Sequence, residues 1–336
     1  MPWSRVLIFD DPYCCQMAVQ AAEVEIYPTT RGKFHSEITQ IGLNRVWMQR
    51  FHQQLAQVNS VAIKPGRKVI GFLTKEHQPM LQHCGMDVSA GEIIVNDFDT
   101  MHQRSGVDLY YGAMSLPLDD FDAAAKAISG YEFPGTALKH LVRPSPELMS
   151  RLLELHKMVS QIAETTPHIL ELPEVIEALE QHLIHIMIRC LTDGLPSRMT
   201  LGNQRHDTIV AKFEEYLEAN PNTPLYLPEI CAAIGAAERT LRVACEQHLG
   251  MGPIRYLALR RMHLVRRALS RAAPSTTTVT RIATDYGFWE LGRFSVTYRA
   301  LFGETPSATL QRPSDDQRVF LNRPSSFADN FFAKSS

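Results

Sequence analysis

Two segments in the last third of the chain repeat one arrangement, and that repetition narrows the fold more than any other feature. The first runs from Leu227 to Arg242 (LPEICAAIGAAERTLR) and the second from Val279 to Phe294 (VTRIATDYGFWELGRF). Each opens with a short apolar-striped stretch, marked by Ile230 and Ile234 or by Ile282 and Tyr286. A glycine follows, Gly235 or Gly287, and glycine readily takes the left-handed backbone that ends a helix. A second helical stretch then carries arginines on its polar face. Helix, glycine turn and second helix is how a chain presents side chains to a DNA major groove. One such corner is common in any helical protein. Two in register, joined by an arginine-rich helix, are a far stronger signal.

Local signals agree with this reading. Thr305 followed by Pro306 is an N-cap with proline at the first helical position, and Gly252-Pro253 opens the connecting helix in the same way. Pro228 and Glu229 start a helix behind Leu227, which is a poor cap by preference. From about Glu238, the residues Leu241, Ala244, Cys245 and Leu249 form a buried stripe, leaving Glu238, Arg239, Arg242 and Glu246 outward. From about Glu290, the stripe is Leu291, Phe294, Tyr298, Leu301 and Phe302. Arg293, Ser295, Val296 and Arg299 form the outward set.

From about Arg205 to Pro313 the chain resembles the DNA-binding domain of the AraC/XylS transcription regulators. Ala283, Gly287, Phe288, Phe294, Tyr298, Phe302, Gly303 and Pro306 stand where that family's signature places small, glycine, aromatic and proline residues. The departures are Leu310, where the family often has Arg or Lys, and Val243 and Val296, where it often has a polar side chain. The resemblance implies two DNA-reading motifs at about 228–249 and 279–302. Transferred by position, the base- and backbone-contacting candidates are Arg239, Thr240 and Arg242 in the first, and Glu290, Arg293, Ser295 and Arg299 in the second.

A whole-chain charge of −2 conceals an asymmetry. Residues 205–312 hold 14 Lys and Arg against 10 Asp and Glu, whereas residues 1–204 hold 17 against 23. Thirteen of the 14 cations are arginine, whose planar fork suits phosphates and guanine edges. The acidic N-terminal part should not bind polyanions non-specifically. The six cysteines, Cys14, Cys15, Cys84, Cys190, Cys231 and Cys245, form no C-x-x-C pair and no zinc spacing, so reduced thiols in a cytoplasmic protein are expected. A redox role for Cys14-Cys15 is the minor alternative. The apolar run Val6–Phe9 is too short for a secretory signal, and no apolar run reaches membrane-spanning length.

Residues 1–143 read as a β-rich sensor domain. Short strands such as Ser60–Ile63, Lys68–Leu73, Glu92–Val95 and Leu109–Met114 are separated by turn signals including Lys64-Pro65-Gly66-Arg67, Cys84-Gly85, Ala90-Gly91 and Ser105-Gly106. The segment Asp87–Asp97 loosely resembles the turn-strand unit of cupin-like sensor domains in the same family. His77, His83 and His102, with Glu76, Glu92, Asp97 and Asp99 nearby, raise the question of a metal. No His-x-His pair occurs, so ordinary histidines are expected, with no metal and no cofactor. Trp47, Phe51, Phe72, Phe98, Tyr110 and Tyr111 could line a ligand pocket, although core is the commoner use. The basic turn of Lys64, Arg67 and Lys68 could hold an anion. Trp47, Arg67, Phe72 and Tyr110 are the effector-binding candidates.

Residues 144–193 read as a helical hairpin. Leu148, Leu152, Leu155, Val159 and Ile162 form one seam and Ile176, Leu179, Leu183, Ile186 and Cys190 another, with Pro167 and Pro173 between them. Such seams serve either a subunit interface or packing on the chain's own sensor domain, and a homodimer through 146–191 is the favoured expectation. Residues 194–204 read as a flexible tether, 205–312 as the DNA-binding domain, and 313–336 as a disordered tail. The expected whole is an α+β chain with a cupin-like sensor, a helical linker and an all-α double helix-turn-helix domain. It is expected to be a cytoplasmic, non-enzymatic activator-type regulator that binds promoter DNA, contacts RNA polymerase and answers to a small molecule, with no membrane association. The rivals are an adaptor whose helix-turn-helix pair binds protein, and a metal-dependent cupin enzyme with a helical appendage.

Overall fold

The computed structural model describes residues 2–19, 22–96, 100–130, 140–198, 201–220 and 225–312. The N-terminal half is built on two antiparallel sheets. The first holds β1 (Trp3–Phe9), β3 (Ser36–Gly42), β4 (Trp47–Gln53), β6 (Arg67–Leu73), β9 (Ile93–Asn96), β11 (Leu109–Pro117), β12 (His140–Arg143) and β13 (Leu195–Arg198), in the order β1-β3-β4-β11-β6-β9-β12-β13. The second holds β2 (Ala22–Pro28), β5 (Gln57–Ile63), β7 (Leu81–His83), β8 (Met86–Val88) and β10 (Thr100–Ser105), in the order β2-β5-β10-β7-β8. Many short strands with glycine turns produce this β-rich half, as the turn spacing implies.

The larger sheet is covered on both faces, which explains strands such as Ile93-Ile94-Val95 that are apolar without alternation. Ile70, Phe72, Met114 and Leu116 face a layer of helices, while Leu73, Ile94, Tyr111 and Ala113 pack with Leu81 and Val88 of the second sheet. The helical layer is α2 (Leu118–Ser129), α3 (Pro146–Thr165) and α4 (Pro173–Thr192), after the short α1 (Pro12–Ala18) near the N-terminus. Ser145 caps α3 by accepting from the Leu148 amide at 3.3 Å, with Pro146 in the first turn. Buried Glu180 of α4 accepts from the Val46 amide at 3.0 Å and the Arg45 Nε at 3.1 Å, fastening the hairpin to the β3–β4 turn. His156 of α3 donates to the Gln49 carbonyl at 3.1 Å and meets the Phe72 ring edge-on. Burial lowers its pKa to about 4, so it stays neutral.

Both helical seams are therefore used inside one chain. Leu152, Val159, Leu183, Ile186 and Cys190 join the core under the larger sheet, and Leu148, Leu155 and Ile162 pack half-buried against it. A charge at Leu183 would break this core rather than a subunit contact. The tether expected at 194–204 is also replaced. Leu195–Arg198 pairs with His140–Arg143 as the edge strand of the larger sheet, and α5 starts at Leu201. The missed signal is non-local: a four-residue edge strand acquires its hydrogen bonds only from a partner some fifty residues away. Asp97, Phe98 and Asp99 and the tail 313–336 lie outside the described residues.

The C-terminal half is helical: α5 (Leu201–Ala219), α6 (Leu227–Ile234), α7 (Glu238–Leu249), α8 (Pro253–Arg271), α9 (Val279–Asp285), α10 (Leu291–Phe302) and α11 (Pro306–Gln311). Gly235 ends α6 at φ +66°, and Gly287, just past α9, lies at φ +80°. Thr305 caps α11 on the Ala308 amide at 3.2 Å, and Thr278 caps α9 on the Arg281 amide at 3.2 Å. α6 begins one residue earlier than the sequence suggests: Tyr226, not Leu227, is its N-cap.

Candidate nucleic-acid interface

Each helix-turn-helix pair sets a twelve-residue second helix on the surface, α7 in the first and α10 in the second. The two are equivalent position by position. The fourth and eighth residues, Leu241 and Cys245 in α7 and Phe294 and Tyr298 in α10, are buried. Along α10 the rings of Phe294, Tyr298 and Phe302, joined by Phe288 from the preceding turn, contact one another in sequence, with centroid separations of 4.6 to 5.6 Å. Tyr298 also hydrogen-bonds Thr309 of α11 at 2.8 Å, which locks the recognition helix to the end of the domain. Leu291, Leu301 and Phe302, expected in the buried stripe, are only half-buried at its edge.

The sequence-nominated residues occupy the opposite faces. Arg239 and Arg242 are exposed on α7 with Thr240 half-buried beside them; Arg293, Ser295 and Arg299 are exposed on α10. Glu290 sits at the start of α10, with its carboxylate 3.7 Å from Arg293. Arg242 pairs with Glu238 at 2.7 Å within α7. Such exposed pairs are weak and exchange readily for a phosphate or a base edge. Trp289, also exposed and next to Glu290, was not nominated, because a single aromatic in a turn carries no periodic signal.

The four effector candidates are not brought together. Phe72 and Tyr110 lie on the hairpin-facing side of the larger sheet, where Phe72 is fully buried and Tyr110 stacks on His52 with Lys75 over its ring. Trp47 pairs with Ser115, and Arg67 donates to the Ser115 Oγ at 2.9 Å, one strand position away from Met114 and hence on the other face. Of the three candidate histidines, His77 is exposed and the other two are spent on structure. His83 bonds with Gln103 and His102 with Glu214, and among the described residues no group of three or more His, Cys, Asp and Glu could hold a metal. Burial pushes the Cys14 thiol up to about 11 and the Cys15 thiol up to about 12, so neither is a thiolate at neutral pH.

Sequence reasoning missed how the two halves meet. The backs of α5, α7 and α8 rest on the smaller sheet, and Tyr27 and Val58 of that sheet join the core of the first helix-turn-helix unit. Fully buried Glu214 of α5 is hydrogen-bonded to His102 of β10 and to Tyr256 of α8. Burial opposes ionisation of both, but their mutual attraction wins: the His102 pKa is raised and the Glu214 pKa lowered. Nearby, Arg260 donates to the Tyr27 hydroxyl at 3.2 Å and faces Glu25 at 3.6 Å, and His263 donates to the Pro28 carbonyl at 3.3 Å. Arg266 reaches Asp11 at 2.8 Å, while Arg267 and Arg271 lie over the Tyr13 ring at 4.4 and 4.3 Å. A cleft of about 300 Å³ runs between α1 and β2 on one side and α8 and α11 on the other. The arginine-rich connecting helix thus faces the N-terminal half as much as solvent. Composition alone could not divide its arginines between the two uses.

These features define a double helix-turn-helix protein carrying a β-rich N-terminal half. The family described as a helix-turn-helix domain matches residues 230–312. A Rhodococcus erythropolis protein named as a probable thc operon regulatory protein is 33% identical over 158 residues, 45% of this chain and 47% of that protein. The XylDLEGF operon transcriptional activator 2 of Pseudomonas putida is 31% identical over 135 residues, 39% of this chain and 83% of that protein. Among solved structures, a probable AraC family transcriptional regulator from Rhodopseudomonas palustris is 38% identical, covering 31% of this chain and 95% of that one with a TM-score of 0.29. The chain belongs to the AraC/XylS family of transcription regulators. It spans about half to two thirds of the length of the first curated relatives it matches. No helix among the described residues is long and apolar enough to cross a membrane.

Proposed function

We propose that the chain is a sequence-specific, DNA-binding transcription regulator whose two recognition helices, α7 and α10, enter successive major grooves of promoter DNA. One observation carries this: both helices keep a polar, arginine-bearing face exposed, and the N-terminal half meets α7 on its opposite, buried side while α10 is backed by the C-terminal core. Arg239, Thr240, Arg242, Glu290, Arg293, Ser295 and Arg299 are the proposed contacts. Backbone contacts would supply most of the affinity and a few side chains the specificity. The test is binding of the full chain to random and selected duplex DNA as salt rises. Affinity should fall steeply with salt; no binding at low salt would remove the proposal and favour an adaptor that binds protein.

Control by a small-molecule effector belongs to the same proposal. The cleft between α1 and α8 supports it better than the four sheet residues do, because a ligand there would touch both halves at once. By linkage, an effector that favours the DNA-bound form binds more tightly when DNA is present, by the same factor. Activation is proposed from the Pseudomonas putida relative, which is named a transcriptional activator, and contact with RNA polymerase is part of this proposal. A homodimer through the hairpin would have to use its outward face, where Met158 and Leu172 are exposed, since both seams are occupied. Light scattering of Met158→Glu beside the unaltered chain tests that surface.

A further inference from the structure

We infer that Val243 and Val296 are base-reading residues that recognise thymine through its 5-methyl group. The inference rests on the DNA-binding reading and adds to it the chemistry of one contact per motif. Each valine is the sixth residue of its twelve-residue recognition helix, so the two are structural equivalents. Val243 is 44% exposed and Val296 71% exposed, and neither belongs to a core cluster of the described residues. Their helices bury other positions: Leu241, Ala244 and Cys245 in α7, Phe294 and Tyr298 in α10. The flanking exposed side chains are polar, Arg242 and Glu246 in α7, Arg293, Ser295 and Arg299 in α10.

A valine here is costly twice over. It leaves an isopropyl group in water, and its β-branch lowers helix propensity relative to alanine. One exposed apolar residue needs no explanation, but the same cost at equivalent centres of both reading faces has a common return. Valine has no donor or acceptor, so it cannot bond a phosphate or a polar base edge. The one apolar group that a base pair shows in the major groove is the thymine methyl. Exposed arginines on the same helices, Arg239 in α7 and Arg299 in α10, would hold them against the phosphates while the isopropyl group meets that methyl. The two recognition helices should lie about one DNA turn apart, so the two thymines should be separated by about 10 base pairs.

The experiment uses the full chain. Duplexes that bind tightly are selected from a random library, and each thymine is replaced in turn by deoxyuridine, which removes only the methyl. The unaltered chain, Val243→Ala and Val296→Ala are titrated against every duplex. The unaltered chain should lose about fourfold in affinity at one thymine for each motif, the value of one buried methyl group. Each alanine variant should lose its response at its own thymine and keep it at the other. Uracil profiles that are the same in all three proteins, or an unaltered chain indifferent to every methyl, would overturn the inference while leaving DNA binding intact. A library that yields no bound duplex would overturn the DNA-binding reading and this inference with it.

Discussion

The two helix-turn-helix units share a skeleton and differ in what stands behind it. The first, α6 and α7, has a core completed by Tyr27 and Val58 of the N-terminal half, and its neighbour α5 offers a buried carboxylate to His102. The second, α9 and α10, has a core made wholly of C-terminal residues, among them Met262, Val265, Phe294, Tyr298 and Leu310. Its ties to the N-terminal half run through α8: the ion pair of Asp11 with Arg266, two arginines stacked on Tyr13, and His263, which bonds the Pro28 carbonyl and meets the Phe302 ring of α10. The first unit thus shares its core directly with the N-terminal half, whereas the second is reached through side chains of the connecting helix beside a cleft.

The largest expected effect breaks this comparison if it fails. His102→Leu leaves Glu214 with its charge buried and its main partner gone, which should cost about 3–5 kcal/mol in urea unfolding. A cost below about 1 kcal/mol would mean that the halves are apart in solution and that the first unit is as free as the second. The pH dependence of the same interaction sharpens the test. His102, with its pKa raised on folding, stabilises fully below the ordinary histidine value of 6.5 and loses that contribution as pH climbs through its raised value. Glu214, with its pKa lowered, contributes above its ordinary 4.5 and loses that as pH falls through its lowered value. The stability difference between the unaltered chain and His102→Asn should therefore be widest between those ordinary values and narrow as pH rises through the raised His102 value.

DNA reading comes next in size. Arg242→Ala and Arg293→Ala, one on each unit, should each cost about 1–3 kcal/mol against a cognate duplex and relax discrimination at one base position. Equal weakening on all duplexes would assign these arginines to phosphates instead. Backbone geometry should treat the units alike. Gly235→Ala and Gly287→Ala both force a left-handed residue to carry a Cβ, at about 1–2 kcal/mol each in thermal unfolding. A markedly cheaper change at one turn would show that its unit relaxes more easily. The smallest effect is at the surface: Glu238→Gln removes the pair with Arg242 and should change stability by only about 0.3–0.5 kcal/mol.

The DNA-facing half was legible because its information is local. Glycine turns, capping threonines and a 3.6-residue apolar period act within a few residues of one another, so Ile230, Gly235, Leu241, Phe294 and Thr305 reveal their roles in the string itself. The β-rich class of the N-terminal half could also be read, from turn chemistry at regular intervals. Tertiary structure alone decided the rest. Which face of a strand Trp47 or Phe72 occupies depends on register against a partner strand, and a shift of one residue reverses the answer. Whether the seams of α3 and α4 meet another chain or their own sheet is invisible to periodicity, because both surfaces are apolar. Whether Arg266 faces DNA or Asp11, some 250 residues away in the chain, depends on how the two halves dock. A charged side chain announces its chemistry in the sequence, but its partner is chosen only when the chain closes around it.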